Sequence, residues 1–278
     1  MLGQPFSRPL IFVAHPDDET LACGGLLQRF PGSLVVFATD GTPAGYGLER
    51  KYGSLKAYTE LRFQEAARGL SHVPNCSSKW ITAPDGSHFG DMHVHEDLPA
   101  AAISLRAIAQ SFSPDAIVSH TYEGAHIDHD ASSFIAMHVA TALSLKRFEF
   151  PMYWLDQQGN AVLQRFRDGG LGVAAAGLEG AGVMKWQLSE PEIACKKKMM
   201  AEYRTQWGTV STFDPGVERF RPATTTGASF SVALCRDYLY QERPARLYHT
   251  RRHRLPAKAL LKKFAEFEEW RKQQDNWR

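Results

Sequence analysis

The sequence predicts an α/β fold with a doubly wound, mostly parallel sheet, helices on both faces, irregular insertions and a C-terminal helix. Apolar, strand-like runs alternate with helical patterns as far as about residue 155, and this alternation is typical of βαβ units. Several runs end abruptly in polar residues, as strands do at the ligand-binding edge of an open sheet. An amphipathic helical pattern closes the chain at 255–277.

The composition is that of an ordinary soluble globular protein. The 278 residues are 44% hydrophobic and 22% charged, and a chain of this length can bury a large core. A formal net charge of +2 gives no reason to expect a nucleic-acid partner. Four widely spaced cysteines without a CxxC pair favour a reduced, cytoplasmic protein. The N-terminus does not resemble a signal peptide, and no apolar stretch reaches transmembrane length.

The first predicted strand and helix flank the most polar turn of the chain. Residues 10–14 form an apolar run, and the sequence His-Pro-Asp-Asp-Glu-Thr follows at 15–20, directly before a helical pattern at 21–30. A second buried strand is predicted at 34–38, and polar residues follow it at 39–42. Both polar segments should therefore lie at the same edge of a parallel sheet.

Strand and helix patterns continue to alternate in the middle of the chain. The predicted elements are an irregular, glycine-rich flap at 43–52, a helix at 54–70, a short strand at 80–81, a helix at 99–112, a strand at 116–120, a helix at about 131–145 and a strand at 148–155. A second polar cluster occupies 121–130, again directly after a strand.

The later part of the chain has less regular patterns. A glycine- and alanine-rich loop is predicted at 168–184, a helix at 191–206 and irregular structure at 207–230. Together with 43–53 and 84–98, the loop at 168–184 is expected to shape the mouth of a pocket.

The two polar clusters contain the side chains of a catalytic metal site. His15, Asp17 and Asp18 belong to the first, and His126 and His129 to the second. Carboxylates packed beside a histidine repel one another unless a cation compensates them. Two imidazoles, one carboxylate and an open position for water are typical of catalytic zinc, although iron(II) also fits. A metal-activated water needs a nearby carboxylate to take its proton, and one of the adjacent aspartates is available for that task.

The two motifs resemble those of a known family. Ala14-His15-Pro16-Asp17-Asp18-Glu19, followed by Gly124-Ala125-His126-Ile127-Asp128-His129, is similar to the PIG-L/LmbE-like zinc-dependent N-deacetylases. These enzymes remove an acetyl group from conjugates of N-acetylglucosamine. The resemblance covers about residues 8–145 and extends weakly to Tyr203-Arg204-Thr205-Gln206, where the family has Tyr-x-Ser-Gln. It implies a Rossmann-like sheet and an N-deacetylase activity.

The resemblance also implies roles for the motif residues. His15, Asp18 and His129 would bind zinc, and Asp17 would be the general base. His126 would stabilise the tetrahedral oxyanion or protonate the departing amine.

Further residues would support this site or hold the substrate. Asp40 and Arg62 would bind sugar hydroxyls, and Glu19 and Asp128 would support the metal ligands. Some family members carry a tyrosine two residues before the histidine that corresponds to His126. That position is Gly124 here, with Tyr122 two residues earlier, so oxyanion assistance by a tyrosine stays open.

Purely structural roles are the alternatives for several of these residues. An aspartate of the first cluster could simply cap the following helix, and His129 could begin a surface helix. His126 could only orient a neighbour. A further histidine-rich stretch at 88–95 could bind a second metal, but an exposed loop is favoured, because no carboxylate-rich strand end accompanies it. Cys23 is expected to be a small buried residue of the first helix.

The C-terminal region adds a basic run and an amphipathic helix. Residues 243–254 hold five arginines and two histidines and could meet phosphate, anionic lipid or RNA, although a solvated segment is favoured. The helix at 255–277 mixes acids with bases on its polar face, which suits packing on the domain or on a partner better than a membrane surface. The predicted organisation is a single deacetylase domain at 1–240, followed by this appendage at 241–278.

These observations predict a zinc-dependent amide hydrolase that removes an acetyl group from an N-acetylated amino sugar. The expected partner is a small-molecule sugar conjugate and not a nucleic acid, while peripheral membrane contact and a homo-oligomer stay open. The alternatives are an amidase for another amide, such as a thiol conjugate or an acylated antibiotic, and a non-catalytic binding protein of the same fold.

Overall fold

The computed structural model describes residues 6–156, 158, 160–166, 182–223 and 257–277. Its strands are β1 (Pro9–Val13), β2 (Leu34–Phe37), β3 (Ser77–Trp80), β4 (Ala116–His120), β5 (Lys146–Phe150), β6 (Tyr153–Leu155), β7 (Ala161–Leu163), β8 (Met184–Gln187) and β9 (Val217–Pro222). A seven-stranded sheet has the order β3-β2-β1-β4-β5-β9-β8, and β6 pairs with β7 in a separate hairpin. The first five strands of this order, β3-β2-β1-β4-β5, are parallel to one another. Strands β9 and β8 pair antiparallel to their neighbours.

Helices cover both faces of this sheet. They are α1 (Asp18–Arg29), α2 (Leu48–Tyr52), α3 (Leu55–Ser71), α4 (Leu98–Phe112), α5 (Ile127–Ala142), α6 (Glu190–Glu202), α7 (Trp207–Val210) and α8 (Ala257–Lys272). Short 3-10 turns occupy Val94–Asp97, Arg204–Gln206 and Asp275–Trp277. The predicted α/β class, with a mostly parallel sheet between helices, is confirmed.

The core has two halves because successive side chains of a strand point to opposite faces of the sheet. Leu10 and Phe12 of β1 pack with α4, α5 and α8 on one face. Ile11 and Val13 pack with α1, α3 and α6 on the other face. All of β1 is buried, so this strand is the centre of the molecule.

The chain reverses its direction of progress across the sheet at β1. Strands β2 and β3 follow on one side of β1, while β4 and β5 lie on the other side. In open parallel sheets, the crevice at the carboxyl ends of the strands beside such a reversal is the usual ligand site. The loops that follow β1 and β4 both open into this crevice.

Several predicted element boundaries are wrong. The flap at 43–52 contains helix α2. The helix is flanked by two glycines with positive φ, Gly47 before it and Gly53 after it. The strand predicted at 148–155 is two strands, β5 and β6, because Pro151 interrupts the run and cannot donate a ladder hydrogen bond. The helix predicted at 191–206 ends at Glu202, before a 3-10 turn.

The region predicted to be irregular at 207–230 contains α7 and β9, so that prediction is wrong as far as Ala223. Strand β9 lacks the usual alternation of apolar and polar residues because one of its inward positions is a carboxylate, Glu218, which is 2% exposed. Lys196 of α6 is also fully buried, and its Nζ donates to Glu218 Oε1 at 2.7 Å and to the Leu21 carbonyl at 2.9 Å. The backbone amides of Gly25 and Leu26 donate to the same carboxylate.

Removing the buried cation should destabilise the fold. Lys196→Met leaves Glu218 as an uncompensated buried charge, which we expect to lower the free energy of unfolding by about 3–5 kcal/mol. Lys197→Met is the matched control, because Lys197 is exposed on the same helix and should change stability by no more than about 0.5 kcal/mol. Urea titration followed by circular dichroism measures both, and equal stabilities of the two variants would contradict the prediction.

Helix α8 packs on the face of the sheet that carries α4 and α5. The ring of Phe264 stacks on that of Phe134 of α5, with centroids 4.0 Å apart and planes 3° from parallel. Leu260 and Phe267 are also buried against this face. The predicted domain boundary at residue 240, the basic run 243–254 and most of the loop 168–184 lie outside the described residues. Within the described ranges, no helix is long and apolar enough to cross a membrane.

Candidate active site and metal centre

Two polar loops meet at the carboxyl edge of the sheet. One follows β1 and leads into α1, and the other follows β4 and leads into α5. Because β1 and β4 are adjacent and parallel, with Phe12 opposite Ser119, their carboxyl ends lie side by side. The structure thereby brings the first predicted cluster, from His15 to Asp18, against the second, from His126 to His129.

Two of the three predicted metal ligands, His15 and His129, each lie close to the third, Asp18. Asp18 Oδ2 lies 3.4 Å from His15 Nδ1 and 3.6 Å from His129 Nε2. The three residues are 9% exposed or less. Ligand atoms bound to one tetrahedral ion at about 2.0–2.1 Å lie about 3.4 Å from one another. The donor types and the two distances from Asp18 are therefore compatible with a divalent cation, and His129 does not lie on a surface helix.

Among the described residues, three overlapping groups have ligand atoms close enough to one another to hold a cation: His15/His126/His129, His15/Asp91/His126/Asp128 and Asp18/His120/His129. The predicted set of His15, Asp18 and His129 is divided among these groups. Hydrogen bonds distinguish between these sets. His126 Nδ1 accepts from the backbone amide of Asp128 at 3.1 Å, so the proton of the neutral ring sits on Nε2. His120 Nε2 accepts from the backbone amide of Ala14 at 3.0 Å. Neither of these nitrogens offers a free lone pair to a metal.

His15 differs from His126 and His120 because its ring donates a hydrogen bond to carboxylates. Its Nε2 lies 3.2 Å from Asp128 Oδ2 and 3.2 Å from Asp91 Oδ1, so Nε2–H donates to these carboxylates. Nδ1 then faces Asp18, and a carboxylate behind a ligating histidine is a common way to fix the ligating nitrogen. Burial lowers the pKa of His15, but the Asp91, Asp128 and Asp18 carboxylates outweigh this effect and hold the pKa well above its usual value. The surroundings of His15 therefore favour positive charge.

Asp17 is not a helix cap of the ordinary kind. It occupies the position before α1, yet its side chain makes no capping hydrogen bond to that helix. Its backbone has φ 141° and ψ −31°, a conformation that L-residues rarely adopt. Burial raises the pKa of Asp17 to about 7, although the Arg62 guanidinium opposes this effect. The side chain lies in the same pocket as the three predicted metal ligands.

Arg62 and Asp40, the predicted sugar-binding residues, are placed differently. Arg62 is 1% exposed, and its guanidinium donates to Asp17 Oδ2 at 3.1 Å, to Glu65 Oε2 at 3.2 Å and to the carbonyl of Pro16. It lines the pocket, but these donors face the protein. Asp40 Oδ1 accepts from a backbone amide in its own turn, and burial raises its pKa to about 6. A sugar-binding role stays a prediction for both residues.

The pocket has a volume of about 290 Å³, close to the lower end, about 300 Å³, of the usual range for ligand sites. The charged groups of the two clusters lie among its lining residues, together with apolar and aromatic side chains. Those apolar and aromatic residues are Leu21, Pro43, Tyr46, Leu48, Tyr58, Met92, Met152, Tyr153 and Phe213.

Asp91 is the main site residue that the sequence pattern did not reveal. It lies in the stretch 88–95, for which the sequence favours an exposed loop because no carboxylate-rich strand end accompanies it. That expectation is wrong, because Asp91 Oδ1 reaches His15 Nε2 and the neighbouring Met92 amide donates to Asp128 Oδ2 at 2.6 Å. His95 is also buried, at 6% exposure. A lone Gly-Asp dipeptide in a stretch without periodicity gave no signal for this position.

The structure places two tyrosines, Tyr122 and Tyr153, differently with respect to the predicted metal ligands. Tyr122 is 8% exposed and belongs to the core on the α5 face, and the Gly124 amide donates to Asp130. The aromatic ring beside the metal ligands is instead that of Tyr153, whose centroid lies 5.3 Å from that of His129. Glu123, also missed from the sequence, accepts from the backbone amides of Met152 and Tyr153 and so fixes this wall of the pocket.

A family model described as PIG-L, GlcNAc-PI de-N-acetylase, matches residues 10–140. This range includes both polar clusters. Residues 10–140 of this chain are therefore similar to the PIG-L family domain. The match supports a hydrolase that acts on amide bonds, as an N-deacetylase does. The family match supports N-deacetylation of a sugar conjugate, and the overlapping groups of side chains described above provide a metal-binding cluster.

Solved structures share the fold of this chain. A deacetylase triple mutant (Orf2*T) of the teicoplanin biosynthetic pathway has a TM-score of 0.57 and 17% identity, over 79% of this chain and 100% of that chain. The A40926 pseudoaglycone deacetylase Dbv21 also has a TM-score of 0.57 and 17% identity, over 78% and 96%. A deacetylase–teicoplanin complex has a TM-score of 0.53 and 18% identity, over 78% and 97%. No curated protein sequence matches the chain.

Proposed function

We propose that this protein is a zinc-dependent N-deacetylase that removes an acetyl group from an N-acetylglucosamine-type conjugate. The observation that carries the proposal is the position of Asp18 Oδ2, which lies 3.4 Å from His15 Nδ1 and 3.6 Å from His129 Nε2, with the Asp17 carboxyl in the same pocket. Two imidazoles and a carboxylate favour zinc over harder ions, and iron(II) is the alternative. One solved structure of similar fold is the zinc-inhibited form of the teicoplanin deacetylase Orf2, so zinc acts on at least one deacetylase of this fold.

A divalent cation at this position supplies Lewis-acid chemistry, because it acidifies water and polarises an amide carbonyl. The protein supplies the base. Asp17 lies beside the ligands without being one of them, and Arg62 holds its Oδ2 at 3.1 Å. Its other oxygen is then available to take a proton from the attacking water. Once protonated, the same carboxyl can return the proton to the departing amine nitrogen.

His126 is proposed to stabilise the oxyanion of the tetrahedral intermediate. The Asp128 amide fixes its neutral tautomer with the proton on Nε2, which faces the pocket 4.0 Å from Asp91 Oδ1. Burial, together with the charge on His15, lowers the pKa of His126 to about 3, so the ring is neutral at neutral pH. A neutral ring donates a hydrogen bond better than it delivers a proton, so we favour oxyanion stabilisation over protonation of the amine.

The sugar conjugate is proposed as the substrate class, and another amide is the alternative. The PIG-L match points to N-acetylglucosamine on a lipid, whereas related folds belong to deacetylases of the teicoplanin and A40926 pathways. The pocket of about 290 Å³ suits one amino sugar at the reacting end.

A substrate panel tests this proposal. Purified protein, loaded with zinc or iron(II) and analysed for metal content, is incubated with N-acetylglucosaminides of varied aglycone, N-acyl thiol conjugates and N-acylated glycopeptides. Acetate release and free amine are measured together. Turnover of the glucosaminides supports the proposal. Turnover confined to the other amides would replace it with the alternative, and no turnover of any amide would contradict it.

A further inference from the structure

The segment Tyr203–Gln206 lies far from Asp17 in the sequence but touches the residues that hold it. It connects α6 to α7 and belongs neither to the metal ligands nor to the two polar clusters. Two separate hydrogen-bonded chains run from this segment to Asp17. One ends on the backbone of Asp17, and the other ends on its side chain.

The first chain acts on the backbone. The Tyr203 hydroxyl donates to Glu19 Oε1, and Glu19 Oε2 accepts from the backbone amide of Asp17 at 2.9 Å. Tyr203 and Glu19 are both fully buried, so water does not compete for these hydrogen bonds. A backbone at φ 141° persists only where its surroundings enforce it. Glu19, held by Tyr203, provides that enforcement.

The second chain acts on the side chain. The Thr205 amide and hydroxyl donate to the two oxygens of Glu65 at 2.8 and 2.5 Å. Glu65 accepts from Arg62 Nη1 at 3.2 Å, and Arg62 Nη2 donates to Asp17 Oδ2 at 3.1 Å. Gly41 permits this approach, because a Cβ there would lie 3.0 Å from Arg62 Nε and 2.9 Å from Pro16. The carboxyl of Asp17 therefore has one oxygen fixed and a defined plane.

We propose that Tyr203 and Thr205 are positioning residues that hold the general base in its reactive orientation, through Glu19 and Glu65. The inference rests on the proposed function, because it assigns Asp17 the role of base. Neither residue contacts a metal ligand in the hydrogen bonds described, so their loss should leave metal binding intact. The strained backbone and the buried ion pair give the two chains a common target, which simple packing of α6 would not require.

The test uses variants that delete single hydroxyls. Tyr203→Phe and Thr205→Val each remove one link, whereas Thr205→Ser keeps the hydroxyl and makes the segment match the family's Tyr-x-Ser-Gln. Thr212→Val is the matched control, since the Thr212 hydroxyl is exposed and donates only to a local carbonyl among the bonds described. Each zinc-loaded protein is assayed for kcat, KM, metal affinity by chelator competition, and thermal unfolding.

We expect kcat to fall about 10–100-fold in Tyr203→Phe and Thr205→Val, as when partners that orient active groups are lost. KM and metal affinity should change little, and Thr205→Ser and Thr212→Val should keep nearly full kcat. A raised KM with unchanged kcat would make Thr205 a substrate contact and overturn the proposal. Unchanged kcat in both hydroxyl deletions would also overturn it. Absence of deacetylase activity in the wild-type protein would instead contradict the proposed function itself.

Discussion

Asp17→Asn is expected to lower kcat by about 10²- to 10⁴-fold, the usual contribution of a positioned general base. The amide cannot take a proton from water, yet it has nearly the same shape as the carboxyl and can still accept from Arg62. Metal content should stay at the wild-type value, because the predicted ligand atoms belong to His15, Asp18 and His129. Single-turnover kinetics and elemental analysis of the same preparation measure the two quantities.

Asp85→Asn is the control for this substitution, since Asp85 lies in an exposed turn and accepts from Ser87. It should retain full activity. Full kcat in Asp17→Asn would refute the base assignment. A loss of metal together with activity would show that Asp17 is itself a ligand.

His129→Ala should abolish both metal binding and turnover. The substitution removes Nε2, which lies 3.6 Å from Asp18 Oδ2, and leaves His15 and Asp18 as the remaining ligands of the proposed set. Two ligands do not complete the closed part of a catalytic zinc site, which normally has three protein ligands and one open position. Elemental analysis after dialysis should find only background zinc, and acetate release should fall below detection.

The control for this loss is His72→Ala. His72 lies at the end of α3, is partly exposed and pairs with Glu202 at 3.3 Å, so its removal should affect neither metal content nor kcat. Metal bound in His129→Ala at the wild-type ratio would move the proposed centre to another of the overlapping side-chain groups.

The sequence is informative about this site because the site lies where two apolar strands end. Residues 10–13 and 116–118 are long enough as apolar runs to be recognised as strands, and the turns after them contain most of the metal and base candidates. Adjacent parallel strands then bring the two turns together without any further information. His120, the last residue of β4, was not predicted as a site residue, because its hydrogen bond to the Ala14 amide depends on the exact register of the two strands.

The site and fold residues that were not predicted depend on contacts between segments that are distant in the sequence. Asp91 reaches the site because its loop pairs with Pro43 and because the Asp40 amide donates to Phe89, and both are long-range contacts of irregular segments. Strand β9 was missed because Glu218 occupies an inward position where a hydrophobic residue is expected, and the charge is tolerated only because Lys196 is buried beside it. Periodicity in the sequence cannot report a partner that lies 22 residues away.

The left-handed backbone of Asp17 has a consequence for the evolution and engineering of this protein. A non-glycine residue held in such a conformation costs of the order of 1–3 kcal/mol, which glycine would avoid. A selection for thermal resistance alone would therefore favour Asp17→Gly and remove the proposed general base. If Asp17 is the base proposed above, stability and turnover are opposed at this single position.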